Sequence, residues 1–249
     1  EVYYGNEDIE KIRVLPLRAY SILRFIRKNR NAFDLVVDME EYLNVSALIA
    51  FYVGKERIGY DHGARARLYT KKIGYNDKQH AAQTFLDLAR SLGAEYNTTE
   101  LIELPIDEAL KQRMAFLLKE SHIDAEGTWV GITPGAAESS KCRMWPKENF
   151  AKLADELIKK YNVKILFTGA ENEKQITRDI QDQMAYKDKS MNMAGKVNVW
   201  ELFALVKRCA FFISNDTGPM HIAAAQKVPT VGLFGPNLPI RFGPYGKRN

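Results

Sequence analysis

Apolar positions along the chain fall into two alternating rhythms, one of period 3.6 and one of short unbroken runs. Leu17, Tyr20, Leu23 and Ile26 sit at helical spacing across residues 16–30. "FDLVVDM" (33–39) is a short, nearly continuous apolar run and predicts a buried parallel strand. Residues 45–54 read as a helix closed by a glycine, 56–60 as a second strand and 107–122 as a helix. Residues 79–95 form an amphipathic pattern with Phe85, Leu88 and Leu92 on one stripe and Gly93 as its stop. The second half repeats the rhythm more sharply. Strands are predicted over 128–136, 163–170, 210–214 and 229–236. Helices are predicted over 146–161, 172–185, 199–209 and 218–227, the first with Pro146 at its start, where a missing N–H costs nothing.

Strands alternating with helices of ten to fifteen residues imply βαβ units and parallel sheets. The expected fold is α/β with two doubly wound, Rossmann-like domains, residues 1–124 and 125–249, joined at the polar stretch "ESHIDAEGT" (120–128). Nothing in residues 1–15 resembles an opening strand and turn, and no helix closes the chain after "RFGPYGKRN". The first domain is therefore expected to be incomplete at its start and the second at its end.

Composition narrows the classes. At 249 residues and 46% hydrophobic, the chain can bury a sizeable core, and no apolar run is long enough to span a bilayer. The opening residues are too charged and polar to read as a secretory leader. Cys142 and Cys209 lack metal-ligand spacing and read as free thiols. The formal charge of +5 favours anionic partners such as nucleotides, phosphorylated sugars or a membrane face. No nucleic-acid motif accompanies it. The densest basic cluster, "LRFIRKNRN" (23–31), reads as the solvated face of a helix.

Four strand exits in the second half carry unusual chemistry, at the end of a parallel sheet where ligands bind. In "TPGAAESSKCRMWP" (133–146), Gly135 permits tight backbone geometry, while Ser139, Lys141 and Arg143 supply a hydroxyl and cations suited to phosphate; a solvated loop is the plain alternative. In "FTGAENE" (167–173), Gly169 permits close approach, and Glu171 or Glu173 could hold ribose hydroxyls or merely complement a helix dipole. In "ISNDTGPMH" (213–221), Asp216 and Thr217 are good N-caps, and Gly218 opens a helix whose free N–H groups suit a diphosphate, with His221 one turn in. "LFGPNLPIRFGPYG" (233–246) could wall a pocket or be a connecting loop. No P-loop, G-x-G-x-x-G, H-E-x-x-H or G-x-S-x-G occurs, which argues against P-loop NTPases, common dehydrogenases, zinc proteases and α/β-hydrolases.

Taken in order, "FDLVVDMEEYLNVSALIAFYVGKERIGY", "TPGA…RMWPKENFAKLADEL", "VKILFTGAENE" and "ISNDTGPMHIAAAQKVPTVGLFGP" resemble the family nine glycosyltransferases, the lipopolysaccharide heptosyltransferases and their relatives. The resemblance implies a GT-B architecture, with the donor in the C-terminal domain and the acceptor facing the N-terminal one. It implies inverting, metal-independent transfer of a heptose or similar sugar from a nucleotide diphosphate, expected to be ADP, to a lipopolysaccharide-core or related glycan. No cofactor and no nucleic-acid partner are implied. The acceptor places the enzyme in the cytoplasm, in peripheral contact with the inner membrane. Neither heptose nor adenine follows from the residues themselves.

By the same resemblance Asp216 holds sugar hydroxyls, while Thr217, Gly218 and His221 meet the diphosphate. Glu173 matches an acid that contacts the nucleoside. Arg143 stands where the family usually has lysine and would neutralise the leaving phosphate, with Lys141 a rival because the loop is longer than usual. The family's general base, an aspartate in a glycine-aspartate turn, has no match in this chain. Asp38 and Glu40, after β-strand "FDLVV", are candidates for acceptor contact. A nucleotide-sugar epimerase of similar fold and a non-catalytic nucleotide-sugar-binding protein are the alternatives.

Overall fold

The computed structural model describes residues 6, 8–96, 98–120 and 127–246, which divide into two compact units. The first, within residues 6–97, contains α1 (Ala19–Lys28), β1 (Phe33–Val37), α2 (Asn44–Val53), β2 (Gly54–Tyr60), β3 (Lys71–Ile73) and α3 (Ala81–Arg90). Its strands pair in parallel in the order β1-β2-β3. Ile58, Tyr60 and Leu88 are buried together, and the Tyr60 hydroxyl donates to the Thr84 carbonyl at 3.0 Å.

Two expectations are corrected here. β1 is not fully buried. It lies at the outer edge of its sheet, and Phe33, Asp34 and Leu35 are exposed. The stripe on α3 is narrower than its spacing suggests: Leu88 is buried, but the helix ends at Arg90, so Leu92 falls beyond it and is exposed.

The second unit begins at Thr98. It comprises α4 (Glu108–Glu120), β4 (Trp129–Thr133), α5 (Lys147–Tyr161), β5 (Lys164–Phe167), α6 (Lys174–Gln181), β6 (Ser190–Asn192), α7 (Val199–Lys207), β7 (Phe211–Asn215), α8 (Gly218–Ala225), β8 (Thr230–Leu233) and α9 (Pro239–Phe242). The sheet runs β6-β5-β4-β7-β8 with every pairing parallel. Alternate strand residues face opposite sides, as a pleated strand requires. Leu166 and Phe212 pack with Leu205 and Val206 of α7 and Ala223 of α8. Ile165, Phe167 and Ile213 pack with Phe150, Ala154 and Ile158 of α5 and Ile180 of α6. α7 opens with a capping box, in which Asn198 and Glu201 each accept from the other's end of the turn.

The unit boundary also differs from the expected one. Met114, Leu117 and Leu118 bury α4 in the core of the second sheet, and Arg113 Nε donates to Glu201 Oε1 at 3.0 Å. The helix expected to close the first domain thus belongs to the second. Most of the expected seam, residues 121–126, lies outside the described residues.

Both cysteines are free, Cys142 exposed and Cys209 buried, and burial pushes the Cys209 thiol up to about 12. Thiolate, not thiol, is the nucleophile. A disulfide reagent at neutral pH is expected to titrate one thiol rapidly in the native protein and two in denaturant. Two fast thiols in the native state would contradict this packing.

Candidate functional site

From β4 the chain steps outward through β5 to β6, then returns to place β7 on the other side of β4. Strand order therefore reverses between β4 and β7, and the crevice outside their carboxyl ends is where ligands of open parallel sheets bind. The loop leaving β4 carries Pro134 and Gly135; the loop leaving β7 carries Asp216.

Asn215, the last residue of β7, ties these loops together. Its fully buried side chain donates from Nδ2 to the Pro134 carbonyl at 2.8 Å, and its Oδ1 accepts from the Trp145 amide at 3.1 Å. One side chain thus fixes the β4 exit and the end of the 3-10 helix Glu138–Arg143 against β7. Arg143 is held within reach of the next residue. Its Nη1 lies 3.4 Å from Asp216 Oδ2 and donates to the Asp216 carbonyl at 3.3 Å. Asp216 is buried, and Oδ2 also accepts from Asn237 Nδ2 at 2.6 Å. Arg143 stays one-third exposed, open to a ligand from the solvent side.

α8 starts beside this pair. Thr217 is its N-cap residue but makes no side-chain cap; its hydroxyl turns back to the Asn215 carbonyl at 3.3 Å. Asp216 does not cap either, being engaged by Arg143 and Asn237. The Met220 amide is spent on the Thr217 carbonyl at 3.1 Å, and Pro219 has no N–H, so the outward amides of this helix start are those of Thr217 and Gly218. Among the described residues no acceptor meets either one. Together with the helix dipole they present donors of the kind an anion accepts from. His221 lies half-buried in the first turn.

A second set of predicted residues gathers in a neighbouring cavity of about 520 Å3 lined by Gly135, Lys141, Trp145, Glu173, Ile176 and Asp179, among others. Glu173 Oε2 accepts from the Ala170 amide at 2.6 Å, so the capping role is real, and the same side chain also faces the cavity. Gly135 and Gly169 have a shared use: a Cβ at either would press on the Glu173 carboxylate. What approaches these glycines closely is Glu173. Lys141 points to Glu138 at 2.5 Å and Arg143 to Asp216, which separates the two rival cations. Ser139 is exposed on the 3-10 helix and does not line the cavity. Glu171 pairs with Lys174 at 3.4 Å.

The two acids of the first unit are engaged within the fold, Asp38 fully and Glu40 through one carboxylate oxygen. Asp38 Oδ2 accepts from Arg65 Nη2 at 2.8 Å, from the Tyr69 hydroxyl at 2.7 Å and from the Ser46 hydroxyl at 2.9 Å, with only 6% of Asp38 exposed. Glu40 Oε1 accepts from the amides of Tyr42 and Leu43 at the approach to α2, and these bonds hold its carboxyl below the usual range. Asn215 and Asn237 were not anticipated. Asn215 stood within the "SNDTG" stretch, but its partners Trp145 and Pro134 lie 70 and 81 positions away. Among the described residues no group of three or more His, Cys, Asp or Glu converges for a metal ion.

The chain resembles known proteins along most of its length. A lipooligosaccharide heptosyltransferase 2 of Haemophilus ducreyi is 28% identical over 234 residues, covering 88% of this chain but 65% of the relative. The crystal structure of a glycosyl transferase of family 9 from Veillonella parvula superposes with a TM-score of 0.83 at 23% identity, covering 99% of this chain and 72% of that one. The E. coli heptosyltransferase WaaC with ADP superposes at 0.67 and 21% identity, covering 95% and 75%. Both superpositions support the two-domain α/β fold of GT-B type. The family model for glycosyltransferase family 9 (heptosyltransferase) matches residues 22–249, and the chain belongs to that family.

Proposed function

We propose that the second unit holds a nucleotide-diphosphate sugar and that the protein transfers that sugar, with inversion and without a metal, to a lipopolysaccharide-core or related glycolipid. The observation that carries this reading is the Arg143–Asp216 pair set beside the open amides of α8 at the switch point of the sheet. Breaking the glycosidic bond to a diphosphate leaves negative charge on the departing oxygen. A guanidinium and two backbone N–H groups fixed at one point stabilise that charge without reorganising, which is the term electrostatic catalysis needs. They occupy the role a divalent cation plays elsewhere. Asp216 orients Arg143 and, on this reading, also accepts from sugar hydroxyls. A hydroxyl attacking from the face opposite the diphosphate gives inversion in one step. The proton it loses goes to a base that we assign to no residue of this chain.

The nucleoside is assigned to the cavity beside Glu173 and Lys141. An ADP-linked heptose-type donor is the proposed substrate, supported by the names of the relatives and by the ADP complex of the E. coli heptosyltransferase. On this reading the reaction belongs in the cytoplasm at the inner membrane. Among the described residues no helix is long and apolar enough to cross a membrane.

Calorimetry with ADP, GDP and UDP tests the donor site, with ADP expected to bind most tightly. Failure of all three to bind would remove the reading. Incubation with donor alone separates transfer from epimerisation, since only an epimerase yields a new sugar without an acceptor.

A further inference from the structure

A guanidinium beside a carboxylate closes as a two-pronged pair when nothing holds either group. Arg143 and Asp216 do not close that way. Arg143 Nη1 alone makes the contact, lying 3.4 Å from Asp216 Oδ2 and donating to the Asp216 carbonyl at 3.3 Å. Among the described residues Arg143 Nε and Nη2 donate to nothing. On the acid, Oδ2 accepts from Asn237 Nδ2 at 2.6 Å, while among the described residues nothing donates to Oδ1. The pair is held half-open, and Asn237 is bonded to its shared oxygen.

The fold delivers Asn237 to this point. The Asp216 amide donates to the Leu233 carbonyl at 3.0 Å, which carries the β7–β8 ladder one residue past β7 and starts the next loop beside Asp216. Gly235 then passes so close to the Cys142 carbonyl that a Cβ there would lie 3.0 Å from it. The loop therefore rests on the 3-10 helix that carries Arg143. The Gly- and Pro-rich stretch 233–246, whose pattern fitted either a pocket wall or a connection, thus supplies a side chain to the Arg143–Asp216 pair.

We infer that Asn237 is a positioning residue for sugar transfer. By holding Asp216 Oδ2 it keeps the pair one-pronged, which leaves the remaining Arg143 N–H groups to the departing diphosphate and Oδ1 to the sugar. The inference rests on the donor-site reading of this corner. A pair collapsed into a two-pronged contact would have to be reopened by every incoming donor, and fixed donors stabilise developing charge only when they need no such reorganisation. Asn237 does this through Asp216 and touches no reacting atom. A direct bond from Asn237 to the sugar is the competing role, and it would show in donor binding instead of in turnover.

Steady-state transfer and thermal melting of two variants decide it. Asn237→Ala is expected to lower kcat by about tenfold or more, with the donor KM within about threefold of the parent. It should melt at or above the parent temperature, because the released acid and guanidinium close on each other. An asparagine with a merely structural role would lower the melting temperature and leave the kcat of the folded protein in place. Asn237→Asp supplies a rescue that depends on pH. Protonated, the new carboxyl donates to Asp216 as the amide does; ionised, it repels Asp216 and competes for Arg143. Two facing acids raise the pH at which the second proton leaves. The ratio of Asn237→Asp to parent kcat should therefore approach one at acid pH and fall by about tenfold as pH rises. His221, in the first turn of α8, is present in both proteins, so the ratio cancels its titration. The inference is overturned if Asn237→Ala keeps kcat within about twofold, if it raises the donor KM more than it lowers kcat, or if the Asn237→Asp ratio is flat with pH. Arg143→Ala tells this failure from that of the donor-site reading. If Arg143→Ala lowers transfer and Asn237→Ala does not, this inference alone falls; if both transfer as the parent, the reading falls with it.

Discussion

Asp216→Ala is expected to lower sugar transfer by about 10²–10³-fold, the range seen when one fixed electrostatic group is removed from a transition state. The expectation rests on what Asp216 holds. Its carboxylate is buried and receives Arg143 on one side and Asn237 on the other. Without it, Arg143 keeps only the Asp216 carbonyl at 3.3 Å and, being one-third exposed, can swing into water. The lost term is therefore orientation of a cation at the α8 corner as well as any contact with the sugar. Asp216→Asn separates the two. It keeps the volume and an acceptor for Asn237 but removes the charge that attracts Arg143. If orientation dominates, the asparagine variant resembles alanine in kcat while binding ADP nearly as the parent. If sugar contact dominates, asparagine recovers much of the donor affinity. Transfer within threefold of the parent in Asp216→Ala would end the assignment of this corner to the donor.

How much of this could be read beforehand depends on the range of each interaction. The strands and helices around the second sheet follow from local periodicity and caps; β4, β5 and β8 fall within their expected stretches, and β7 runs one residue past its own. β3 and β6 escape such reading: "KKI" and "SMN" are three-residue strands with little apolar content, and pairing alone defines them. The membership of α4 was hidden for the same reason, since Met114, Leu117 and Leu118 fit either core by pattern and only the packing against α7 decides. At the site, residue type and position set Asp216, Thr217 and Gly218 at the exit of β7, and the structure brings Arg143 beside Asp216. Asn215 was not legible, because a buried asparagine signals nothing until its partners in another loop are known. Asp38 misled for the converse reason. A strand-end acid looks available until Arg65, twenty-seven positions on, is found beside it.

That pairing sets the second large effect. Asp38→Ala is expected to destabilise the first unit by about 3–5 kcal/mol, because removing one member of a buried ion pair strands the other charge. The Arg65 side chain is only 2% exposed, and its Nη1 has no hydrogen-bond partner among the described residues. Loss of Asp38 would leave Nη2 with Ser46 and Tyr69 but no counter-charge. A shift of that size approaches the whole stability of a small domain. Denaturant unfolding followed by hydrogen exchange should show loss of protection in β1 and β2 while β4, β5 and β7 keep theirs. The double replacement Asp38→Leu with Arg65→Met should recover most of the loss, since no charge is then buried. Alkaline titration gives an independent reading. Burial, then the bond to Asp38, pushes the Tyr69 phenol up to about 12 from its ordinary 10.0. The folded state thus retains a proton that the unfolded chain releases first. Tyr69's contribution is full below pH 10 and is lost as pH rises through about 12. Tyr69→Phe should flatten that decline. A loss under 1 kcal/mol in Asp38→Ala, with reduced transfer and an intact first unit, would return Asp38 to the acceptor role its sequence position suggested.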